Sequence, residues 1–183
     1  MEGDDWRQRV GHRRWELHLV PTLGSSIPLA ANLEAGLNAL SAANSFGFNN
    51  WTKDHSGGTS ADPVITDNAV AGPNGATDAS SGVFSRGTGS FSRIQVTATV
   101  PANLPCRFDV WLASPDTGLN ISLRANSKNG IALTLSPTWQ YFALDDVGSG
   151  VGGFAAQLLL FSSITNSPAS ANVYMWGARV YRI

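Results

Sequence analysis

Two stretches decide the fold: Thr138-Trp139-Gln140-Tyr141-Phe142-Ala143-Leu144 and Val173-Tyr174-Met175-Trp176-Gly177-Ala178-Arg179-Val180. Both are rich in aromatic and β-branched residues, and the first follows a Ser-Pro dipeptide, so we predict two strands. Side chains alternate along a strand. The second stretch should therefore place Tyr174, Trp176, Ala178 and Val180 on one face. In the first, Phe142 and Leu144 should face the core, and Trp139 and Tyr141 should face away from it.

Alternating apolar and polar residues predict further strands at 93–100, 107–113 and 119–124. Asn129-Gly130 is typical of a hairpin turn and should join the last of these to a strand at 131–135. An apolar stretch at 154–161 is interrupted only by Gln157, so we expect that strand to be covered on both faces. About eight strands at these spacings predict an all-β fold, an antiparallel two-sheet sandwich.

Composition excludes several functional classes. The 183 residues are 43% hydrophobic, only 14% are charged, and the formal net charge is -1. This charge gives no general attraction to nucleic acid or to an anionic membrane, and we predict neither as a partner. No apolar run approaches the roughly 20 residues of a membrane span. Cys106 is the single cysteine, so the chain cannot form an internal disulfide.

Several of these motifs resemble the carbohydrate-binding-like jelly rolls found in tail and fibre proteins of tailed phages. They are a Thr-Trp-Gln-aromatic strand at 138–141, a closing aromatic-x-Trp-Gly-Ala strand at 174–178, an Asn/Ser-rich entry to Trp-Thr-Lys at 44–53, and a strand followed by a Pro-Asn-Gly turn at 63–75. The resemblance spans residues 44–183. It implies a jelly-roll sandwich of the galactose-binding or carbohydrate-binding-module type, and we predict this domain at 46–183.

The first 45 residues fall outside that domain. Residues 1–26 crowd aromatic and basic side chains together: Trp6, Arg7, Arg9, Arg13, Arg14 and Trp15. This segment is either a disordered leader or an arm that docks on a neighbouring subunit. We favour an anchoring arm, because Trp and Arg are enriched at interface hot spots. Residues 27–45 are predicted to be a connector, and leucines at 29, 33, 37 and 40 predict a short helix within it.

Candidate catalytic residues do not form a recognisable group. His12, His18 and His55 have no Ser or Cys nucleophile placed near them by any motif. Asp145 and Asp146 are adjacent and should point apart, so we interpret them as a solvated loop. Asp62, Asp67 and Asp78 could contribute to a calcium site, but they are scattered. We predict a protein that is not an enzyme, with no cofactor and no metal site.

Three aromatic residues are predicted to face outward: Trp111, Trp139 and Tyr141. Such residues either stack on sugar rings or are covered by another subunit or by the arm. The resembled family carries a tryptophan at the equivalent of Trp139 as part of its fold pattern, so we favour coverage. Trp51 and Trp176 are interpreted as core residues.

Together these features predict a non-enzymatic virion structural protein of a tailed phage, assembled in the host cytoplasm. It would be a decoration, fibre or tail-associated subunit. Its expected partners are capsid, tail or fibre subunits and further copies of itself. The alternative is a carbohydrate-binding module that recognises a glycan of the host surface or the environment.

Overall fold

A computed structural model describes residues 47–100, 102–126, 130–149 and 153–183. The predicted arm at 1–26 and helix within 27–45 lie outside these ranges. The described residues form a short 3-10 helix at Phe48–Asn50 and ten strands. The strands are β1 (Thr52–His55), β2 (Ala61–Val70), β3 (Ala79–Ser85), β4 (Phe91–Thr99), β5 (Pro105–Ala113), β6 (Leu119–Ala125), β7 (Ile131–Leu135), β8 (Gln140–Val147), β9 (Gly153–Phe161) and β10 (Ser170–Arg182).

The strands form two antiparallel five-stranded sheets. Sheet I has the order β1-β4-β9-β6-β7, and sheet II has the order β2-β3-β10-β5-β8. This architecture confirms the predicted fold class, an antiparallel jelly-roll sandwich. The predicted hairpin partners, β6 and β7, pair antiparallel. Two of the ten strands, β1 and β3, had not been predicted, because their sequences lack a clear alternation of apolar and polar residues.

The core lies between the sheets and is built from the inward side of each strand. Ile94, Phe108, Leu123 and Phe154 are fully buried there. Trp51 joins them after the 3-10 helix, with its ring 5.1 Å from that of Phe48 and 6.2 Å from that of Phe108. The prediction that Trp51 belongs to the core is therefore confirmed.

A β-bulge in β10 corrects the predicted facing of the last strand. Trp176 pairs with Trp111, but the next paired residue is Arg179, opposite Asp109. Gly177 lies between them with a φ of 62°, a left-handed conformation that favours glycine. An extra residue reverses the alternation. Trp176 therefore lies outside the core cluster on the outer side of sheet II, where it is buried by other residues, whereas Ala178 and Val180 face the core.

Asp145 and Asp146 also differ from their interpretation as a solvated loop. Both lie within β8 and, as expected for adjacent strand residues, they occupy opposite sides of it. Asp146 is buried and accepts a hydrogen bond from the backbone N–H of Val147 at 2.8 Å. None of the described residues forms an apolar helix of membrane-spanning length.

Candidate functional site

Two outer surfaces of the sandwich carry the side chains that could bind a ligand. We call the first the aromatic face. It lies on β5, β8 and β10 of sheet II and comprises Trp111, Tyr141, Asp109, Arg179 and Tyr181. We call the second the polar face. It lies on β4, β9 and β6 of sheet I and comprises Arg93, Gln95, Gln157, Ser122 and Arg124.

Trp111 and Tyr141 form the apolar part of the aromatic face. They are directly opposite each other on β5 and β8, and their ring centroids are 5.4 Å apart at an interplanar angle of 58°. This tilted geometry is one that aromatic pairs favour. Tyr141 is 44% exposed, so the pair presents aromatic surface to solvent, as the sequence predicted for both residues.

Asp109 is the centre of the polar network on this face, and it is buried. Arg179 donates two hydrogen bonds to its carboxylate, from Nε at 2.9 Å and from Nη2 at 2.7 Å. The Tyr141 hydroxyl donates a third, at 2.9 Å. Burial, followed by the charge and hydrogen bond of Asp109, raises the pKa of Tyr141. Burial acts to lower the pKa of the Arg179 guanidinium, but the hydrogen bond and charge of Asp109 have a larger combined effect, so this pKa is raised.

The neighbouring polar groups of sheet II are also paired within the protein. Arg107 donates to Asp145 from Nε at 2.6 Å and from Nη2 at 2.8 Å. Indole N–H groups bond to the 71–78 connection, from Trp139 to the carbonyl of Ala71 at 3.2 Å and from Trp176 to the carboxylate of Asp78 at 2.9 Å. The third predicted aromatic, Trp139, is thus held against a loop. The charged groups of sheet II that lie around Asp109 and Asp145 are thus paired within the protein.

The polar face is arranged in two rows across three strands. Arg93, Leu159 and Ser122 form one row, on β4, β9 and β6. Gln95, Gln157 and Arg124 form the next row on the same strands. Directly opposed side chains lie about 5 Å apart. The rows therefore bring five polar side chains together at the centre of sheet I.

Four buried polar atoms of this face have no hydrogen-bond partner among the described residues. They are Nε of Arg93, Nε of Arg124, Oγ of Ser122 and Oε1 of Gln157. An unsatisfied buried polar group costs about 1–3 kcal/mol, and native proteins carry only a few of them. These two N–H donors, one hydroxyl and one carbonyl acceptor lie on adjacent strands. A ligand on this surface could form hydrogen bonds with them.

The centre of the same surface is closely packed. Leu159 is on the outer side of β9, outside the core cluster, yet it is only 2% exposed, and Ser122 beside it is fully buried. Gly130 lies close by, and its lack of a side chain leaves room for Ser122 and Arg124. A Cβ on Gly130 would clash with Oγ of Ser122 and would lie 2.7 Å from Cγ of Arg124. The expectation that the Gln157 strand is covered on both faces holds on its outer side only at Leu159, because Ala155, Gln157 and Phe161 are half-buried there.

One end of the polar face is aromatic. Phe91 and Phe161 are directly opposite each other on β4 and β9, and both are half-buried. The Arg93 guanidinium lies 4.8 Å from the Phe91 ring centroid. Its Nη2 donates to Asp54 at 2.6 Å, and this hydrogen bond is the main cause of the lowered pKa of Asp54. Apolar ring surface thus adjoins the unsatisfied polar atoms.

The three aspartates considered for calcium lie in separate hydrogen-bond networks. Asp62 is paired with His55 at 2.7 Å, Asp67 accepts from Ser80 at 2.6 Å, and Asp78 accepts from Trp176. Among the described residues, no three His, Cys, Asp or Glu side chains form a group that could hold a metal ion. The aspartates therefore stabilise local structure where they lie.

Comparison with known structures supports this fold. The chain is similar to the enzymatically active domain of bacteriophage CBA120 tailspike protein 4, with 17% identity and a TM-score of 0.54 over 78% of this chain and 21% of that one. It is also similar to TmCBM61, solved in complex with β-1,4-galactotriose, with 11% identity and a TM-score of 0.50 over 78% of this chain and all of the other.

These likenesses show a jelly-roll sandwich of the carbohydrate-binding-module type. The chain spans about a fifth of the tailspike domain. No protein-family model matches the sequence, and no curated protein matches it.

Sequence reasoning found the aromatic face and missed the polar one. Trp111 and Tyr141 were identified because tryptophan and tyrosine are conspicuous on the polar side of a strand. Arg93, Ser122 and Arg124 are on the polar side of their alternating strands, but polar residues there are ordinary. The available signal was Gln157, a lone amide in an apolar strand. Its significance depends on the strand order, which brings β9 between β4 and β6.

Proposed function

We propose that this domain is a non-catalytic carbohydrate-binding module whose saccharide lies on the polar face of sheet I. The observation that carries this proposal is the group of four buried, unpartnered polar atoms on Arg93, Ser122, Arg124 and Gln157. Sugar hydroxyls both donate and accept hydrogen bonds, so one saccharide can satisfy guanidinium N–H groups and an amide oxygen together. The adjacent ring surface of Phe91 and Phe161 suits the apolar C–H face of a sugar.

The aromatic face is a weaker candidate for this role, although it carries the aromatics that the sequence singled out. Asp109, Arg179 and the Tyr141 hydroxyl already bond to one another. A saccharide there would gain stacking on Trp111 and Tyr141, but it would have to compete with those contacts for hydrogen bonds. The fold similarity to TmCBM61 is consistent with the proposal and suggests β-1,4-galactotriose as a first probe.

A binding screen with paired variants tests the proposal. Immobilised plant and bacterial glycans, together with β-1,4-galactotriose in solution, are offered to the wild-type protein, to Gln157→Leu and to Trp111→Ala. We expect saturable binding by the wild type and at least a tenfold loss in Gln157→Leu, because the amide is an essential partner. Trp111→Ala should bind like the wild type, since Trp111 lies on the opposite sheet. Thermal melting of each variant verifies folding.

Two outcomes would contradict the proposed site. Loss of binding in Trp111→Ala, with binding retained in Gln157→Leu, would move the saccharide to the aromatic face. Failure of the folded wild-type protein to bind any glycan in the screen would overturn the carbohydrate-binding function.

We further propose a virion setting for this module, as a decoration, fibre or tail-associated subunit of a tailed phage. The motifs at 44–53, 138–141 and 174–178 favour this setting, and so do Trp6, Trp15 and the four arginines between them. Residues 1–26 would anchor the chain on capsid, tail or fibre subunits or on another copy. The exposed aromatic pair of Trp111 and Tyr141 would then be covered by a partner rather than by a sugar.

Deletion of the arm tests the virion role separately from saccharide binding. A chain that begins at Ser25 should fold with near-normal stability and keep its glycan binding, but it should no longer enter particles or oligomers. Mass spectrometry of purified virions should find the full-length chain in a fixed copy number. Normal incorporation of the truncated chain would contradict the anchoring role of residues 1–26.

A non-catalytic role also predicts that the pure protein releases no sugar from any polysaccharide that it binds. Chromatography of the soluble products after long incubation measures this directly. Turnover that disappears in Asp145→Asn or Asp146→Asn would show that the protein is an enzyme.

A further inference from the structure

Arg124 is a cation at the centre of the polar face. It lies on β6 directly opposite Gln157 of β9, and its Nε atom is buried without a hydrogen-bond partner. None of the ion pairs among the described residues includes Arg124. Arg124 as a whole is half-buried, and a buried guanidinium donor that lacks an acceptor is costly, because it has lost hydration and gained no partner.

The other arginines that the two faces present are neutralised. Arg93 is paired with Asp54, Arg107 with Asp145, and Arg179 with Asp109, each with a closest contact of 2.6 or 2.7 Å. The polar face therefore carries the charges of Arg93, Asp54 and Arg124, which sum to +1. This excess is located on the side chain that adjoins Gln157 and Ser122.

The stem of Arg124 packs against the backbone of Gly130. Its Cγ and Cδ atoms lie against Gly130, at 2.7 Å and 3.2 Å from where a Cβ would stand, so the absence of a side chain at residue 130 is what accommodates them. Arginine presents donors in a planar fork that matches a carboxylate. A guanidinium held in this way is prepared for an anionic group before the ligand arrives.

We propose that the saccharide bound by the polar face carries a carboxylate and that Arg124 recognises it, so that the ligand is a glycan containing uronic acid. This inference rests on the proposed carbohydrate-binding function. The carboxylate accepts from the Arg124 guanidinium. A ring hydroxyl donates to Oε1 of Gln157, and the Ser122 hydroxyl bonds to a neighbouring sugar oxygen. A neutral sugar could satisfy the same atoms, but it would leave the excess positive charge uncompensated.

Methyl esters provide the matched ligands for the test. Oligomers of galacturonate, glucuronate and mannuronate are titrated into the wild-type protein, each beside its methyl ester, which keeps the ring and loses the charge. We expect at least one acid to bind ten times or more tightly than its ester. Its affinity should fall with added salt, because salt screens the attraction between the charges.

Three variants test whether Arg124 causes the preference for the acid over its methyl ester. Arg124→Gln should bind the acid no more tightly than the ester, and Arg124→Lys should recover part of the preference because it restores a point charge. Arg107→Gln is the matched control, since it removes a paired arginine from the opposite sheet, and it should keep the full preference. Thermal melting shows whether each variant is folded.

The outcomes separate this inference from the proposed function. Equal affinity of the wild type for acid and ester, or binding of neutral glycans only, would overturn the acidic ligand and leave carbohydrate binding intact. A preference that survives in folded Arg124→Gln would also overturn it. Absence of all glycan binding, or full binding by Gln157→Leu, would instead contradict the proposed function and its site.

Discussion

The two outer faces of this sandwich use the same kinds of residue in opposite ways. On the aromatic face, the buried Asp109 carboxylate accepts from Arg179 and Tyr141, so cation, anion and hydroxyl satisfy one another. On the polar face, Arg124, Gln157 and Ser122 are neighbours with buried polar atoms that lack such partners. The first arrangement stabilises the folded chain, and the second leaves capacity for a ligand.

This difference shows why aromatic content alone is a poor guide to the binding surface. Trp111 and Tyr141 attract attention because they are large and outward, but the polar groups around them are already bonded. An unsatisfied polar atom lowers the stability of the free protein, and a ligand that forms a hydrogen bond with it offsets that loss. Substitutions on the aromatic face should therefore lower stability and leave saccharide binding unchanged. Substitutions of the unpaired residues on the polar face should lower binding and have little effect on stability.

The largest effect is expected from Asp109→Ala. Removing this buried carboxylate takes away the acceptor of two Arg179 donors and of the Tyr141 hydroxyl, and breaking such a pair costs about 3–5 kcal/mol. Urea denaturation measures the loss in the free energy of unfolding. Asp145→Ala is the control, because its pair with Arg107 is exposed and should contribute less than about 1 kcal/mol. Equal losses in the two variants would contradict the central role of Asp109.

A somewhat smaller effect is expected from Gly177→Val, which tests the bulge that positions Arg179. A β-branched residue at a φ of 62° is strained, by about 1–3 kcal/mol. Little else would be disturbed, because the nearest atom to a Cβ there is Cδ1 of Trp111 at 3.9 Å. Thermal melting against Gly57→Val, at a glycine with open space around it, measures the cost. A wild-type melting temperature for Gly177→Val would show that the bulge tolerates other residues.

Tyr141→Phe should cost about 1.5 kcal/mol, because it removes a hydrogen bond to the charged Asp109 carboxylate and keeps the ring packed on Trp111. Chemical denaturation measures this change, and saccharide binding should not respond. A tenfold loss of glycan affinity in this variant would place the sugar on the aromatic face.

The smallest stability effect is expected on the polar face. Ser122→Ala removes a buried hydroxyl that has no hydrogen-bond partner among the described residues, so the free energy of unfolding should change little or rise. Glycan affinity should fall at the same time. A loss of more than about 1 kcal/mol of stability would show that Ser122 is satisfied in the free protein, contrary to the proposed site.

The pair of Asp54 and Arg93 predicts a modest dependence of stability on pH. Hydrogen bonding by Arg93 lowers the pKa of Asp54 below its unfolded value of about 3.9. The contribution is therefore complete above about pH 4 and is lost as the pH falls through the lower pKa of the folded state. Asp54→Asn should melt below the wild type at neutral pH and approach it at about pH 2. A constant difference would show that the pair does not titrate.

The fold could be predicted from the sequence more fully than the site. The alternation of apolar and polar residues predicted most strands, and the motifs at 138–144 and 173–180 indicated the jelly roll. The bulge at Gly177 could not be predicted in this way, because one inserted residue leaves the apolar composition unchanged while reversing which side chains face outward. The polar face is not encoded in any one strand. It depends on β4, β9 and β6 being neighbours and on which polar atoms find partners, and both are properties of the assembled sheets.

The most direct test of the two-face account is to map a bound saccharide by NMR. The oligosaccharide of highest affinity in the panel is titrated into isotope-labelled protein, and the backbone amide shifts are followed. A saccharide on the polar face should cause the largest shift changes on β4, β9 and β6, around Arg93, Gln157 and Arg124, and should leave the amide shifts near Trp111 and Tyr141 unchanged. Changes concentrated on β5, β8 and β10 would contradict the two-face account, because the saccharide would then occupy the face whose polar groups are already satisfied.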